Sequence, residues 1–243
     1  MNKNLSVTIP YKNMGLVGSL YLPKNTSDTL FIFCHGLGSS SRLLSNYGED
    51  LSNAGIAVYT FDFIGGSSYS LSGGSMLDMS VATEEEQLKS VINYFQTQAS
   101  FSKIFIGGES QGGYVAAIVS SQLKNLVGLI LLYPAWVIPS DAKRRLAKLH
   151  GDTYRLMGMQ LSRKYIEDAL KVDPFKVIKN DRTPTIIFHG VHDHIVPITY
   201  SEKAQSLYPN CRLITLNARH GIYQGRQQEI ICKDIIDFVN EHK

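Results

Sequence analysis

A serine set between glycines, Gly108-Glu109-Ser110-Gln111-Gly112, is the residue best placed for covalent chemistry in this 243-residue chain. A serine hydroxyl is a weak nucleophile until a neighbouring base takes its proton. The segment reads as a strand over 103–106, a sharp turn and a helix from about Gly113. That context suits a nucleophile elbow. A serine at so tight a turn takes an unfavourable backbone angle, and the flanking glycines let strand and helix approach. The turn lifts the hydroxyl above the carboxyl ends of the strands, where open α/β sheets bind ligands. No Gly-Lys-Ser or Gly-Lys-Thr follows the glycines, so a phosphate loop is not indicated.

The base is expected at His220, in Ala218-Arg219-His220-Gly221. Of the seven histidines it alone follows the last strand, read over 212–216. His150 lies in a long connection, His242 at the tail, and His189 at the end of a core strand, where it packs or bonds locally. The acid is expected at Asp193, in Gly190-Val191-His192-Asp193-His194-Ile195-Val196-Pro197, after a strand over 185–188. No acid immediately follows the sixth strand at Tyr133, and Asp168, Asp173 and Asp181 precede the seventh. A triad acid orients the imidazole and stabilises its cation. An oxyanion also needs two backbone N–H donors. These are expected from Gln111 and from Leu37, in His35-Gly36-Leu37-Gly38, with His35 itself only packing and hydrogen-bonding. His192 and His194 invite a metal reading, but alternating residues diverge and no further ligand cluster accompanies them. The expected chemistry therefore uses no metal and no cofactor.

These side chains need a sheet to hold them. A hairpin is expected from 5–10 and 14–22, turning at Lys12-Asn13. Apolar runs at 29–34, 57–61, 103–106, 126–132, 185–188 and 212–216 read as strands buried on both faces. Between them lie helices. Thr83 and Glu86 suggest a capping box, followed by the stripe Leu88, Val91, Ile92 and Phe95. Residues 114–119 are apolar on all sides, as in an internal helix. Ile231, Ile235 and Phe238 form a last stripe, with Lys233, Asp234 and Asp237 facing out. The alternation implies an α/β fold with a mostly parallel sheet covered on both faces. About fifty residues after Tyr133 break the rhythm, far more than an ordinary connection needs. The expected division is a core over 1–133 and 184–243, with a small cap at 134–183 between strands six and seven. The cap is rich in Lys and Arg and holds a helix over about 165–178 that Pro174 kinks or divides. Trp136 lies three residues beyond the sixth strand, the cap aromatic expected to reach the substrate pocket.

The chain is 44% hydrophobic and 19% charged, enough for a sizeable core. A net charge of +3 is too weak to argue for nucleic acid or a membrane surface. Cys34, Cys211 and Cys232 match no zinc spacing and read as reduced thiols. With neither a signal-peptide pattern nor a membrane-spanning run, a cytoplasmic location is expected.

Together, His35-Gly36-Leu37-Gly38, the Asp62-Phe63-Ile64-Gly65-Gly66-Ser67 loop, 108–113, 190–197 and His220 resemble the serine esterases of the α/β-hydrolase fold. Within them the chain is similar to the bacterial lysophospholipase-like and cinnamoyl or feruloyl esterase group. The resemblance covers nearly the whole chain. It implies a metal-free carboxylic-ester hydrolase with a cap between strands six and seven, acting on a small-molecule ester. Two positions depart from it. Such elbows often carry His where this chain has Glu109, and Gly65-Gly66-Ser67 replaces the more usual Gly-His-Gly. Asp62 reads as structural. A peptidase or amidase uses the same triad, a lysophospholipase the same fold, and the sequence leaves both open. A binding protein with an idle triad is disfavoured by the complete set of groups. A dehalogenase or epoxide hydrolase needs an acid where Ser110 stands.

Overall fold

The computed structural model describes residues 3–98 and 100–243. Strands β1 (Lys3–Tyr11) and β2 (Met14–Leu22) form the expected hairpin, with Lys12 left-handed at its turn. Then come β3 (Thr29–Cys34), α1 (Ser45–Asn53), β4 (Ala57–Phe61), α2 (Val81–Gln96), β5 (Lys103–Glu109), α3 (Ser110–Ser120) and β6 (Gly128–Leu132). After a long connection the chain returns as β9 (Thr185–Gly190), α7 (Thr199–Leu207), β10 (Cys211–Leu216) and α8 (Arg226–His242). The eight strands order as β1-β2-β4-β3-β5-β6-β9-β10. Only β1–β2 and β2–β4 pair antiparallel, and the other five pairings are parallel.

Apolar runs make β3, β4, β6 and β9 buried along their whole length. Alternate side chains then feed two cores. Leu30 and Ile32 of β3 join a core that packs on α2 and α3, while Phe31 and Phe33 join one that packs on α1 and α8. Helix α3 is buried from Gln111 to Ser120, which is why its sequence shows no polar face. Among the described residues no helix is long and apolar enough to cross a membrane, and the three cysteines are free thiols.

Two expectations need correction. The capping box of α2 is made by Ser80 and Thr83, not Thr83 and Glu86: the Ser80 hydroxyl accepts from the Thr83 N–H, and the Thr83 hydroxyl accepts from the Ser80 N–H. Val81 is buried, so the helix starts earlier, and Glu86 reaches out to Tyr11 and Lys12 instead. The connection at 134–183 is also more divided than its helical pattern suggested. It holds α4 (Ile138–Leu146), an antiparallel hairpin of β7 (Thr153–Leu156) and β8 (Met159–Ser162), α5 (Arg163–Ala169) and α6 (Pro174–Val177). Met157 and Gly158, both at positive φ, make the two-residue turn that such a hairpin favours. Pro174 starts a new helix at its first turn, with the Asp173 carboxylate accepting from the Phe175 N–H at 3.0 Å.

Candidate active site

Strand β5 ends at Glu109 and α3 begins one residue later, so Ser110 forms the whole corner. Its φ is +49°, a left-handed conformation costly for any residue with a side chain. The crossing is too tight for side chains on either side. A Cβ on Gly108 would lie 2.3 Å from the Gly112 carbonyl carbon, and one on Gly112 would lie 2.4 Å from the His35 oxygen. Glycines at both positions let the backbones come this close, and the bond from the Ala135 N–H to the Ser110 carbonyl at 2.8 Å holds the corner in place.

The chain brings Asp193 and His220 to this corner from the ends of β9 and β10. Ser110 Oγ lies 3.0 Å from His220 Nε2, and His220 Nδ1 lies 2.6 Å from Asp193 Oδ2. A carboxylate only accepts, so Nδ1 carries the proton and Nε2 presents its lone pair to the serine hydroxyl. Asp193 is fixed by the Ile195 and Val196 N–H groups, both 2.9 Å from Oδ1. His189 Nε2 adds a contact to Oδ2 at 3.3 Å, bonds the Val196 carbonyl, and through Nδ1 meets Ser201. Burial alone would raise the Asp193 carboxyl. The bonds from His189, His220 and the Val196 N–H outweigh it and hold the group well below the usual carboxylate range. The other three acids are occupied elsewhere. Asp168 meets Ser80, Lys164 and Lys171, Asp173 caps α6, and Asp181 accepts from the Thr183 N–H. His192 and His194 are exposed, and among the described residues no three His, Cys, Asp or Glu side chains gather to hold a metal.

Leu37, on the loop after β3, and Gln111, in the first turn of α3, flank Ser110. A Cβ on Gly36 would lie 3.1 Å from the Ser110 Cβ, so the 35–38 loop passes directly beside the serine. Among the described residues neither the Leu37 nor the Gln111 N–H has a protein acceptor. Both donors are thus available to a ligand. His35 is buried and accepts from the Phe63 N–H at 3.0 Å, a packing role. Asp62 accepts from the Ser41 and Leu71 N–H groups at 2.7 and 2.8 Å and so holds the neighbouring loops together.

The Gln111 side chain is pinned on both sides. Tyr165 of α5 donates to its oxygen at 2.5 Å, and its amide donates to Glu84 of α2 at 2.9 Å. Glu84 is buried, and burial pushes its carboxyl up to about 8, against the opposing bond from Gln111. Its folded value exceeds its ordinary 4.5, so the fold binds a proton that the unfolded chain has lost. The Glu84 contribution is therefore fully present below about pH 4.5 and is lost as pH rises to about 8. Glu84→Gln should gain stability relative to the parent protein across that window, by up to a few kcal/mol. Melting temperatures of both proteins at several pH values check this. A difference that stays flat with pH would count against it.

Ser110 opens into a cavity of about 380 Å³. Its walls are mostly apolar: Leu37, Ala135, Val137, Ile138, Leu156, Met157, Ile195 and Val196, with Tyr165 and Tyr223. Trp136 is not among them, which corrects the expectation that it reaches the pocket. It is 1% exposed, and its ring is wedged against Tyr114, Phe175 and Tyr208. Its two neighbours, Ala135 and Val137, face the cavity instead. Phe175 and Tyr154 likewise stay off the cavity wall, and Met159 packs on Gly38. Two further polar residues stand at the site, Asp141 and Tyr223. Asp141 lines the cavity and pairs with Arg144, and Tyr223 lies just beyond His220. Nothing in their local pattern distinguishes them from surface residues.

Residues 25–175 match the family described as Serine aminopeptidase, S33. No curated protein matches the chain. Among solved structures, one described as ferulic acid bound to Est1E from Butyrivibrio proteoclasticus superposes with a TM-score of 0.87 at 24% identity, covering 97% of this chain and 98% of that one. A Paleococcus ferrophilus monoacylglycerol lipase superposes with a TM-score of 0.77 at 19% identity, covering 95% and 100%. At such identities these likenesses speak for the fold.

Proposed function

The chain belongs to the serine aminopeptidase family of α/β-hydrolases, and from that premise we propose that it hydrolyses carboxylic esters through Ser110, His220 and Asp193. The observation that carries this reading is the run of contacts from Ser110 Oγ to His220 at 3.0 Å and on to Asp193 at 2.6 Å, at the mouth of an apolar cavity. His220 Nε2 takes the Ser110 proton as Oγ attacks the ester carbonyl. The carbonyl oxygen, now negative, is held by the Leu37 and Gln111 N–H groups. The imidazolium, stabilised by Asp193, gives its proton to the departing alcohol. Water, deprotonated by the same nitrogen, then releases the acid and restores the hydroxyl.

The cavity walls support an apolar acyl group, aromatic or of medium length. The neighbour holding ferulic acid and the monoacylglycerol lipase mark two forms of such a group. A hydroxycinnamoyl ester is the form favoured, since Tyr165 and Tyr223 flank the space. Cleavage of aminoacyl bonds calls for a free carboxylate to hold the substrate amine. The two carboxylates on the wall are both engaged, Glu109 by three donors and Asp141 by Arg144. Methyl ferulate, p-nitrophenyl butyrate and an aminoacyl p-nitroanilide separate the readings. The esters should exceed the anilide in kcat/KM by about 100-fold or more. Equal or faster cleavage of the anilide would reject ester hydrolysis as the main activity.

A further inference from the structure

On the reading that the Leu37 and Gln111 N–H groups hold the oxyanion, we propose that Glu109 is a positioning residue that clamps the Leu37 loop to β6 and to the loop carrying His220. Glu109 is 1% exposed and sits one residue before the serine. Its Oε1 accepts from the Gly36 N–H at 3.2 Å and from the Ser39 hydroxyl at 3.3 Å. Those donors lie on either side of Leu37 along the chain. Its Oε2 accepts from the Tyr133 hydroxyl at 2.7 Å. Tyr133 in turn accepts from the Ile222 N–H at 3.2 Å, two residues past His220, and its ring meets the His220 ring at 4.7 Å. One carboxylate therefore ties together the ends of β3, β5 and β6 and the turn after β10.

The chemistry explains why a carboxylate stands here. Three donors converge on one side chain, and only an acceptor without hydrogens of its own satisfies all of them. An amide would turn an NH₂ group onto at least one donor, and a histidine would offer a single acceptor. Burial, and next the Glu109 charge, raise the Tyr133 hydroxyl well above its ordinary value, so it stays a donor. Tyr133 also holds a left-handed φ of +38°, a strain its bonds to Glu109 and Ile222 and the bond from its N–H to the Phe188 carbonyl at 2.7 Å offset. The Leu37 loop needs such a clamp because it is built on two glycines, with Gly38 left-handed at φ +68°. An oxyanion donor stabilises the transition state only when it is held in place beforehand.

Glu109→Gln and Tyr133→Phe test the clamp. Glu109→Gln should lower kcat for a good ester about 10- to 100-fold and leave KM within about threefold, since the oxyanion contact forms only in the transition state. Affinity for an aryl boronic acid, which adds to Ser110 as a tetrahedral mimic, should weaken by a similar factor. Affinity for the product carboxylic acid should not change. A side chain that only supported the fold would move both affinities, or the melting temperature, together. Tyr133→Phe should lose kcat about fivefold in the same pattern, and the double variant should lose little more than Glu109→Gln alone. If Glu109→Gln does not fold, Tyr133→Phe decides by itself. A kcat within twofold of the parent in the folded variant, or a loss confined to KM, overturns the clamp. Ser110→Ala keeps the two readings apart. If that variant still turns over ester, the parent reading fails, whereas an inactive Ser110→Ala beside an unimpaired Glu109→Gln rejects only the clamp.

Discussion

Ser110→Ala should lower kcat by about 10⁴- to 10⁶-fold while binding of the product acid stays nearly unchanged. The size of the loss follows from what the hydroxyl alone supplies. Without Oγ no acyl-enzyme forms, and His220 Nε2 has no serine proton to take at 3.0 Å. The Leu37 and Gln111 donors and the cavity wall remain, so residual catalysis by direct attack of water should persist above background. The substitution also keeps the fold. Alanine accepts the left-handed φ of +49° no worse than serine does, and the Ser110 carbonyl keeps its bond from the Ala135 N–H. A fluorophosphonate probe should label the parent protein and leave the variant unlabelled. Turnover by the variant above about a tenth of the parent rate would remove Ser110 as nucleophile.

Much of the frame could be read from the chain because parallel strands buried on both faces leave continuous apolar runs. The runs at 29–34 and 57–61 coincide with β3 and β4. The juxtaposition of Ser110, Asp193 and His220 was legible because this fold sets them just past strand ends, where a serine between glycines, an aspartate and a histidine stand out. What escaped was set by distant partners. The hydrophobic stripe of α2 was visible, but its cap depended on whether Val81 was buried, which the local pattern does not say. The hairpin of β7 and β8 has only four residues per strand and half-buried faces, so its alternation is too short to register. Proximity to β6 alone points Trp136 at the pocket. Its ring instead fills the gap between α3 and the segment that holds Phe175, because burying so large an apolar surface outweighs leaving it on a cavity wall. In the sequence Glu109 is only a departure from the usual elbow pattern. Its three donors come from residues 36, 39 and 133, which nothing in the sequence marks as neighbours.

Asp193→Asn should lower kcat by about 10³- to 10⁴-fold and leave the fold largely intact, whereas Asp168→Asn should spare kcat and lower the melting temperature. The two aspartates are both buried and both charge-assisted, so burial does not separate them. Their partners do. Asp168 accepts from Ser80, Lys164 and Lys171, which fastens α5 to the start of α2, and none of these four residues lines the cavity at Ser110. Its carboxyl is held at about 2: burial raises it, and the lysine and serine bonds more than reverse this. Asp193 holds His220 Nδ1 at 2.6 Å, and so decides which imidazole nitrogen carries the proton. In Asp193→Asn the Oδ1 position can still accept from the Ile195 and Val196 N–H groups, so the loop keeps its shape. The amide NH₂ then faces His220 Nδ1, which must become the acceptor. The proton moves to Nε2, the nitrogen that should receive the Ser110 proton, and the base is blocked although every heavy atom stays in place. The loss should therefore appear in kcat and in the rate of fluorophosphonate labelling, with product-acid affinity and melting temperature little changed. A larger loss of kcat in Asp168→Asn than in Asp193→Asn, with both proteins folded, would transfer the acid role away from Asp193.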